Sequence, residues 1–287
     1  MIVDFLRKNW QLKEKEYKAD PTLQKGIDYL VEVVEPAIKD FLEDQDLDKF
    51  LTKINEFDQW AFQLHYKPSQ KSNWINIGQN KAYPYITEFY WRAIFQVICD
   101  KLNEKANGCL FKLIEGNKMP NFRSTTMESH KATDTGIYVE IKGIKFPVIY
   151  CECKNGHVDK VPHEGMWGQG MRLKQTFPNA IQMFVTDNNI SMSTNLPESY
   201  MNTGIDIQVQ QRGTPGQKWK VKDIRENEAY YGLNSETIKI NMDQIVEIVS
   251  KRPTSHWTKQ NVASSEESSY VGKIRSQGYY INPDLIV

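Results

Sequence analysis

Residues 135–154, "TGIYVEIKGIKFPVIYCECK", hold two β-rich runs joined at Lys-Gly-Ile-Lys. β-branched and aromatic residues on both sides of a glycine connection predict a β-hairpin folded at Gly143. This constrains the chain more than any other stretch, because it decides which distant residues meet. Asp134 stands just before the first strand, and Glu152 and Lys154 end the second. Folding at Gly143 brings them together. Strand side chains alternate with period two, so Glu152 and Lys154 share one face while Cys151 and Cys153 share the other.

The surrounding elements predict a mixed α/β core. The first 66 residues read as a helical N-terminal lobe, and residues 67–287 as the core with its loops and C-terminal extension. Asp20-Pro21 is a helix start, with Asp as cap and Pro in the first turn. Ile27, Leu30, Val31 and Val34 recur at helical spacing until Pro36 interrupts them. Leu47, Phe50, Leu51, Ile54, Phe57 and Phe62 mark another amphipathic helix. After a polar stretch at 67–84, residues 85–105 read as a long helix apolar almost all round, suited to burial against a sheet. Trp91 and Phe95 within it have core spacing. Strands are expected at "GCLFKLIEG" and "NAIQMFVTD", a second hairpin from "IDIQVQQ" and "KWKVKDI", and a helix at "INMDQIVEIVS".

Charge narrows the function classes. Lys and Arg number 36, as do Asp and Glu, which argues against indiscriminate coating of nucleic acid. Residues 1–60 carry 9 basic and 14 acidic side chains, whereas residues 61–175 carry 16 and 10, so the positive excess surrounds the hairpin. Such a local field can draw in a polyanion. No apolar run approaches a membrane span, the first residues turn charged early, and four cysteines make no disulfide framework. A soluble protein of the reducing cytoplasm of a bacterial or archaeal cell is the expectation.

Charges beside a core cost free energy unless they are paired or bind something. One reading of Glu152 and Lys154 is a strand-end salt bridge, worth ~0–1 kcal/mol. The adjacent apolar strand, Asp134 at hairpin distance and the long helix upstream favour a site instead. Asp134 and Glu152 could share one hard divalent cation, Mg2+, with the Cys153 carbonyl as a further ligand. Lys154 could steady an attacking hydroxide or a phosphate oxygen. Hydrolysis of a phosphodiester needs these groups.

Asp134 followed across a hairpin by Glu152-x-Lys154 resembles the PD-(D/E)XK nuclease signature, with Thr133 where the signature has Pro. "DTGIYVEIK" leading to "VIYCECKNG" is similar to the catalytic strands of EcoRI-like type II restriction endonucleases, where an Asp-Gly-Gly-Ile run leads to a Glu-Ala-Lys. The resemblance covers residues 134–157. It implies a restriction-endonuclease-like fold and a Mg2+-dependent homodimer that cuts double-stranded DNA at a short specific sequence and leaves 5′-phosphates. Asp134 and Glu152 would be metal ligands and Lys154 the catalytic lysine. The preceding helix would offer Glu88 as another acidic ligand. Gln169 and Arg172, on the expected helix after the motif, are candidates for positioning the backbone phosphate or the metal site, and Lys174 is a further candidate DNA contact.

Asn188 and Asn189, in a polar loop, and Arg212 and Lys220, in the second hairpin, are candidate DNA contacts. Glu140 reads either as a further site acid or as a surface partner of Lys142. Cys151, Cys153, His157 and His163 are zinc ligand types in a non-standard spacing, and core packing is the competing reading for the cysteines. Two alternatives to restriction remain open: a repair, recombination or mobile-element nuclease of the same superfamily, and a non-catalytic zinc-stabilised DNA-binding module.

Overall fold

The computed structural model describes residues 14–66, 83–106, 109–115, 122–124, 127–131, 133–154, 168–171, 174, 177–186, 206–212 and 232–258. Helix α1 (Glu14–Lys18) leads to α2 (Pro21–Tyr29). Asp20 caps α2 as expected, accepting hydrogen bonds from the N–H groups of Thr22 (2.9 Å) and Leu23 (3.1 Å). Pro36 does not break the chain. Leu30–Val34 widens into a π-helical turn, closed by the Glu35 N–H on the Leu30 carbonyl. α3 (Glu35–Asp44) starts there, so Pro36 falls in a first turn, where a missing N–H is tolerated.

α4 (Leu47–Tyr66) buries Leu47, Phe50, Leu51, Ile54, Phe57 and Ala61. The Phe62 side chain lies outside the described residues. α5 (Tyr83–Asn103) is the expected long helix; Trp91, Ile94, Phe95 and Ile98 on it are fully buried. The buried core is continuous from Leu23 to Trp257 and includes helices on both sides of the boundary drawn after residue 66.

The strands are β1 (Leu110–Glu115), β2 (Phe122–Ser124), β3 (Met127–Lys131), β4 (Thr135–Ile141), β5 (Ile144–Lys154), β6 (Ile181–Thr186) and β7 (Ile207–Gln210). Five of them form one mixed sheet in the order β1-β4-β5-β6-β7. β1, β4 and β5 are antiparallel, while β5, β6 and β7 are parallel. The mixed α/β architecture read from the sequence is therefore present. The small β2–β3 pair is not visible in the sequence, whose polar "FRSTTMESHK" shows no apolar alternation. The "KWKVKDI" half of the second hairpin lies outside the described residues. α6 (Ser235–Ser250) is the expected late helix, capped by Asn234, and α7 (Thr254–Trp257) follows.

The β4–β5 hairpin turns at Lys142 (φ 51°) and Gly143 (φ 80°), between paired Ile141 and Ile144. Two central residues with positive φ make the turn whose twist matches paired strands. Its register shifts once: Ile137 faces Ile149 but Tyr138 faces Pro147, leaving Val148 as an extra residue on β5. That bulge suits Pro147, which has no N–H for a regular ladder. Beyond it, Ile149, Cys151 and Cys153 join the core with Ile137, Met183 and Val185.

Gly136 is required by close approach. A Cβ there would lie 2.0 Å from the Ile149 carbonyl oxygen. Gly136→Ala is therefore expected to push β4 from β5 beside the site and destabilise the fold by ~1–3 kcal/mol. A urea midpoint unchanged from wild type would contradict this.

Helices α4 and α5 grip the chain just past β7. Arg212 and Asp58 form an ion pair with side chains 0% and 1% exposed. Asn55 accepts a hydrogen bond from the Leu233 N–H at 3.0 Å, and Arg212 bridges Leu233. Gln211 accepts hydrogen bonds from the Tyr90 hydroxyl and, at 3.4 Å, from the Trp91 indole.

Candidate active site

β4 begins and β5 ends at the same place on the sheet, beside the carboxyl end of β6. Crevices at the carboxyl ends of parallel strands are where open α/β sheets bind ligands. Asp134 lies in a bend just before β4, half-buried, with its Oδ2 accepting a hydrogen bond from the Cys153 N–H at 2.9 Å. Glu152, on the central strand, has a side chain only 3% exposed. Lys154 Nζ lies 3.2 Å from Glu152 Oε2 and 4.0 Å from Asp134 Oδ2. The hairpin thus joins the three charged groups that it was expected to join.

Two neighbours hold the bend. Thr133, where the nuclease signature has Pro, is buried, and its hydroxyl donates to the Cys151 carbonyl at 2.8 Å and lies 3.1 Å from the Thr135 carbonyl. Arg92 Nη2, from α5, donates to the Asp134 carbonyl at 3.0 Å and lies 3.7 Å from Glu88 Oε2.

Glu88 belongs to the same electrostatic group. Burial, then the negative charge of Asp134, pushes its pKa up to about 8, against the pull of Arg92 and Lys154. Lys154 shows the opposite balance. Burial disfavours its charge, but Asp134 and Glu152 outweigh burial and raise its pKa above the ordinary lysine value. Lys154 is therefore a cation at neutral pH. Three carboxylates face two cations, and Glu88 balances the excess by holding a proton.

That proton makes a pH prediction. Between about 4.5 and about 8 the folded metal-free protein keeps a proton that the unfolded chain has released. Stability from Glu88 is fully present below this window and falls as pH rises through it, by up to ~1.4 kcal/mol per unit. Glu88→Gln should flatten that slope in urea titrations run with a chelator at several pH values. A slope unchanged by the substitution would contradict the assignment.

Carboxylate oxygens in partial burial are hard donors of the kind that hold Mg2+, which binds one or two carboxylates and keeps waters. Among the described residues no group of three or more His, Cys, Asp or Glu is arranged to hold a metal ion on its own. Asp134 and Glu152, completed by water and a phosphate, fit the chemistry of such a cation, and a cation bound there would let the neighbouring Glu88 release its proton.

The other expected residues fall differently. Cys151 and Cys153 are buried in the core, where burial pushes both thiols up and away from the thiolate that zinc needs. Cys153 meets Asp134 through its N–H. Gln169 is half-buried in a helical turn at 168–171, and Lys174 pairs with Asp206 at 2.6 Å. Arg212 is a correction: expected at a DNA groove, it is instead fully buried against Asp58, out of reach of any ligand on the surface. Glu140 pairs with Lys112 at 2.9 Å rather than with Lys142. Arg172, Asn188, Asn189, Lys220, His157 and His163 lie outside the described residues.

Arg92 and Thr133 are the participants that the sequence reading missed. Arg92 had a signal, since it stands four residues after Glu88 on an otherwise apolar helix. Thr133 had none beyond its place before Asp134.

No described helix is long and apolar enough to cross a membrane. No family model and no curated protein sequence matches the chain. The chain is similar to a low-resolution structure of the native BbvCI A2B2 tetramer, over 86% of this chain and 96% of that one, with 16% identity and a TM-score of 0.45. Likeness at that level carries no functional conclusion by itself.

Proposed function

We infer that this chain is a Mg2+-dependent endonuclease of the type II restriction kind, cutting both strands of duplex DNA at a short specific sequence. The observation that supports this most is the meeting of Asp134, Glu152 and Lys154 at the end of one hairpin, with Glu88 supplied from α5. It is the arrangement that the resemblance to the PD-(D/E)XK signature leads one to expect.

Asp134 and Glu152 would hold the cation, with Glu88 as an outer acidic partner. Bound Mg2+ supplies Lewis-acid stabilisation of phosphate charge and lowers the pKa of water. The chain's own groups do the rest. Lys154 offers a permanent positive charge to a nonbridging phosphate oxygen or to the attacking hydroxide. The Cys153 N–H holds the Asp134 carboxylate so that it need not reorganise when substrate arrives. In-line attack of water on phosphorus, with the P–O3′ bond breaking and the 3′-oxygen leaving as a hydroxyl, would leave a 5′-phosphate. A homodimer would present two such sites to a twofold-symmetric sequence, one per strand.

The direct experiment is incubation with a long duplex DNA and Mg2+, followed by sequencing of the fragment ends. Discrete fragments with one shared end sequence and 5′-phosphates support the reading. Intact DNA, or cutting only at flaps, junctions or ends, would sink the restriction assignment.

A further inference from the structure

We propose that Arg92 is a positioning residue for the metal-binding carboxylates, acting on Asp134 through its backbone and on Glu88 through its charge; this rests on the nuclease reading above. Asp134 sits in a bend before β4, where no regular ladder partner fixes it. Three hydrogen-bonding groups hold that bend instead. The Cys153 N–H fixes the carboxylate, the Thr133 hydroxyl ties the preceding residue to β5, and Arg92 Nη2 fixes the Asp134 carbonyl at 3.0 Å. Of these, only Arg92 comes from outside the hairpin.

Arg92 also sets where the helix stands relative to the strands. The same Nη2 that reaches the Asp134 carbonyl lies 3.7 Å from Glu88 Oε2, one turn back on α5. Both side chains are mostly shielded, with 18% and 13% exposed. One guanidinium nitrogen therefore lies between the helix acid and the backbone of the residue that carries the strand acid. A lysine keeps the charge, but its ammonium rides on a flexible stem and is less preorganised than the guanidinium plane for donating to this carbonyl. Arg92 touches no reacting atom in this arrangement. Its contribution is to keep two ligand-bearing elements in register for the cation.

Partners that orient metal ligands typically change metal affinity ~10–100-fold when removed. The test is Mn2+ binding to DNA-free protein, followed by the paramagnetic signal of the free ion, alongside Mg2+ titrations of cleavage. Arg92→Met should weaken Mn2+ binding ~10-fold or more and raise the Mg2+ needed for half-maximal cleavage in parallel, with the KM for DNA unchanged. Arg92→Lys should fall between wild type and Arg92→Met. Wild-type Mn2+ affinity in folded Arg92→Met would overturn the proposal. Should that variant fail to fold, wild-type affinity in Arg92→Lys would overturn it equally. Failure of the nuclease reading looks different: wild-type protein itself neither binds Mn2+ nor cuts duplex DNA, whatever stands at position 92, and the proposal then falls with it.

Discussion

Replacing Lys154 with methionine is expected to lower the single-turnover rate of duplex cleavage ~10²–10³-fold, the loss typical of removing one preorganised electrostatic group. Methionine keeps the apolar stem, so packing at the end of β5 changes little. The ammonium now lies 3.2 Å from Glu152 and 4.0 Å from Asp134, and its raised pKa keeps it charged at every pH at which the enzyme would work. Two consequences separate this loss from that of a metal ligand. Removing a cation between two carboxylates makes the site more negative, so the Mg2+ requirement should stay level or fall. Asp134→Asn removes a ligand and should raise that requirement. The comparison is a Mg2+ titration of each variant on one duplex. A Lys154→Met enzyme with near-wild-type rate would show that the lysine is only a salt-bridge partner.

The second large effect is on stability. Asp58→Ala or Arg212→Met leaves a single charge in a dry environment, which costs ~3–5 kcal/mol. That is a large share of the ~5–15 kcal/mol by which a domain is stable. Both side chains are almost fully enclosed, so losing the ion pair is not made up by bulk solvent. Asp58→Leu combined with Arg212→Met removes both charges and should recover much of the loss, because well-packed apolar pairs often replace buried ion pairs without penalty. Urea denaturation of the singles and the double variant gives the coupling directly. Single variants as stable as wild type would contradict the clamp between α4 and the chain past β7.

These two cases also mark how far the sequence could be read. The β4–β5 hairpin was legible because period-two alternation, a glycine connection and charged ends all lie within one short window. α5 was legible because its apolar residues surround the helix, and Trp91 and Phe95 are indeed core. The Asp58–Arg212 pair was not, because its halves lie far apart in sequence and each looks like an ordinary surface charge. Arg212 near "GTPG" suggested a groove contact on local grounds, and tertiary burial overrode them. Arg92 was marked only by its spacing from Glu88, because the backbone carbonyl it holds carries no residue signature. At Pro36 the local rule predicted a break, but the π-helical turn before it absorbed the missing N–H. At Pro147 the bulge beside Val148 did the equivalent work in a strand.

Asp134, Glu152 and Lys154 are proposed to form one metal-dependent site, and cleavage by wild type beside a ligand variant tests that proposal. Wild type and Glu152→Gln, purified side by side, are incubated with a long duplex in Mg2+ or in excess chelator, and the fragments are counted. Wild type should give discrete fragments with Mg2+ alone, and Glu152→Gln should leave the DNA intact at equal protein concentration and equal thermal stability. Equal cutting by both proteins, or cutting that survives the chelator, would contradict the proposal.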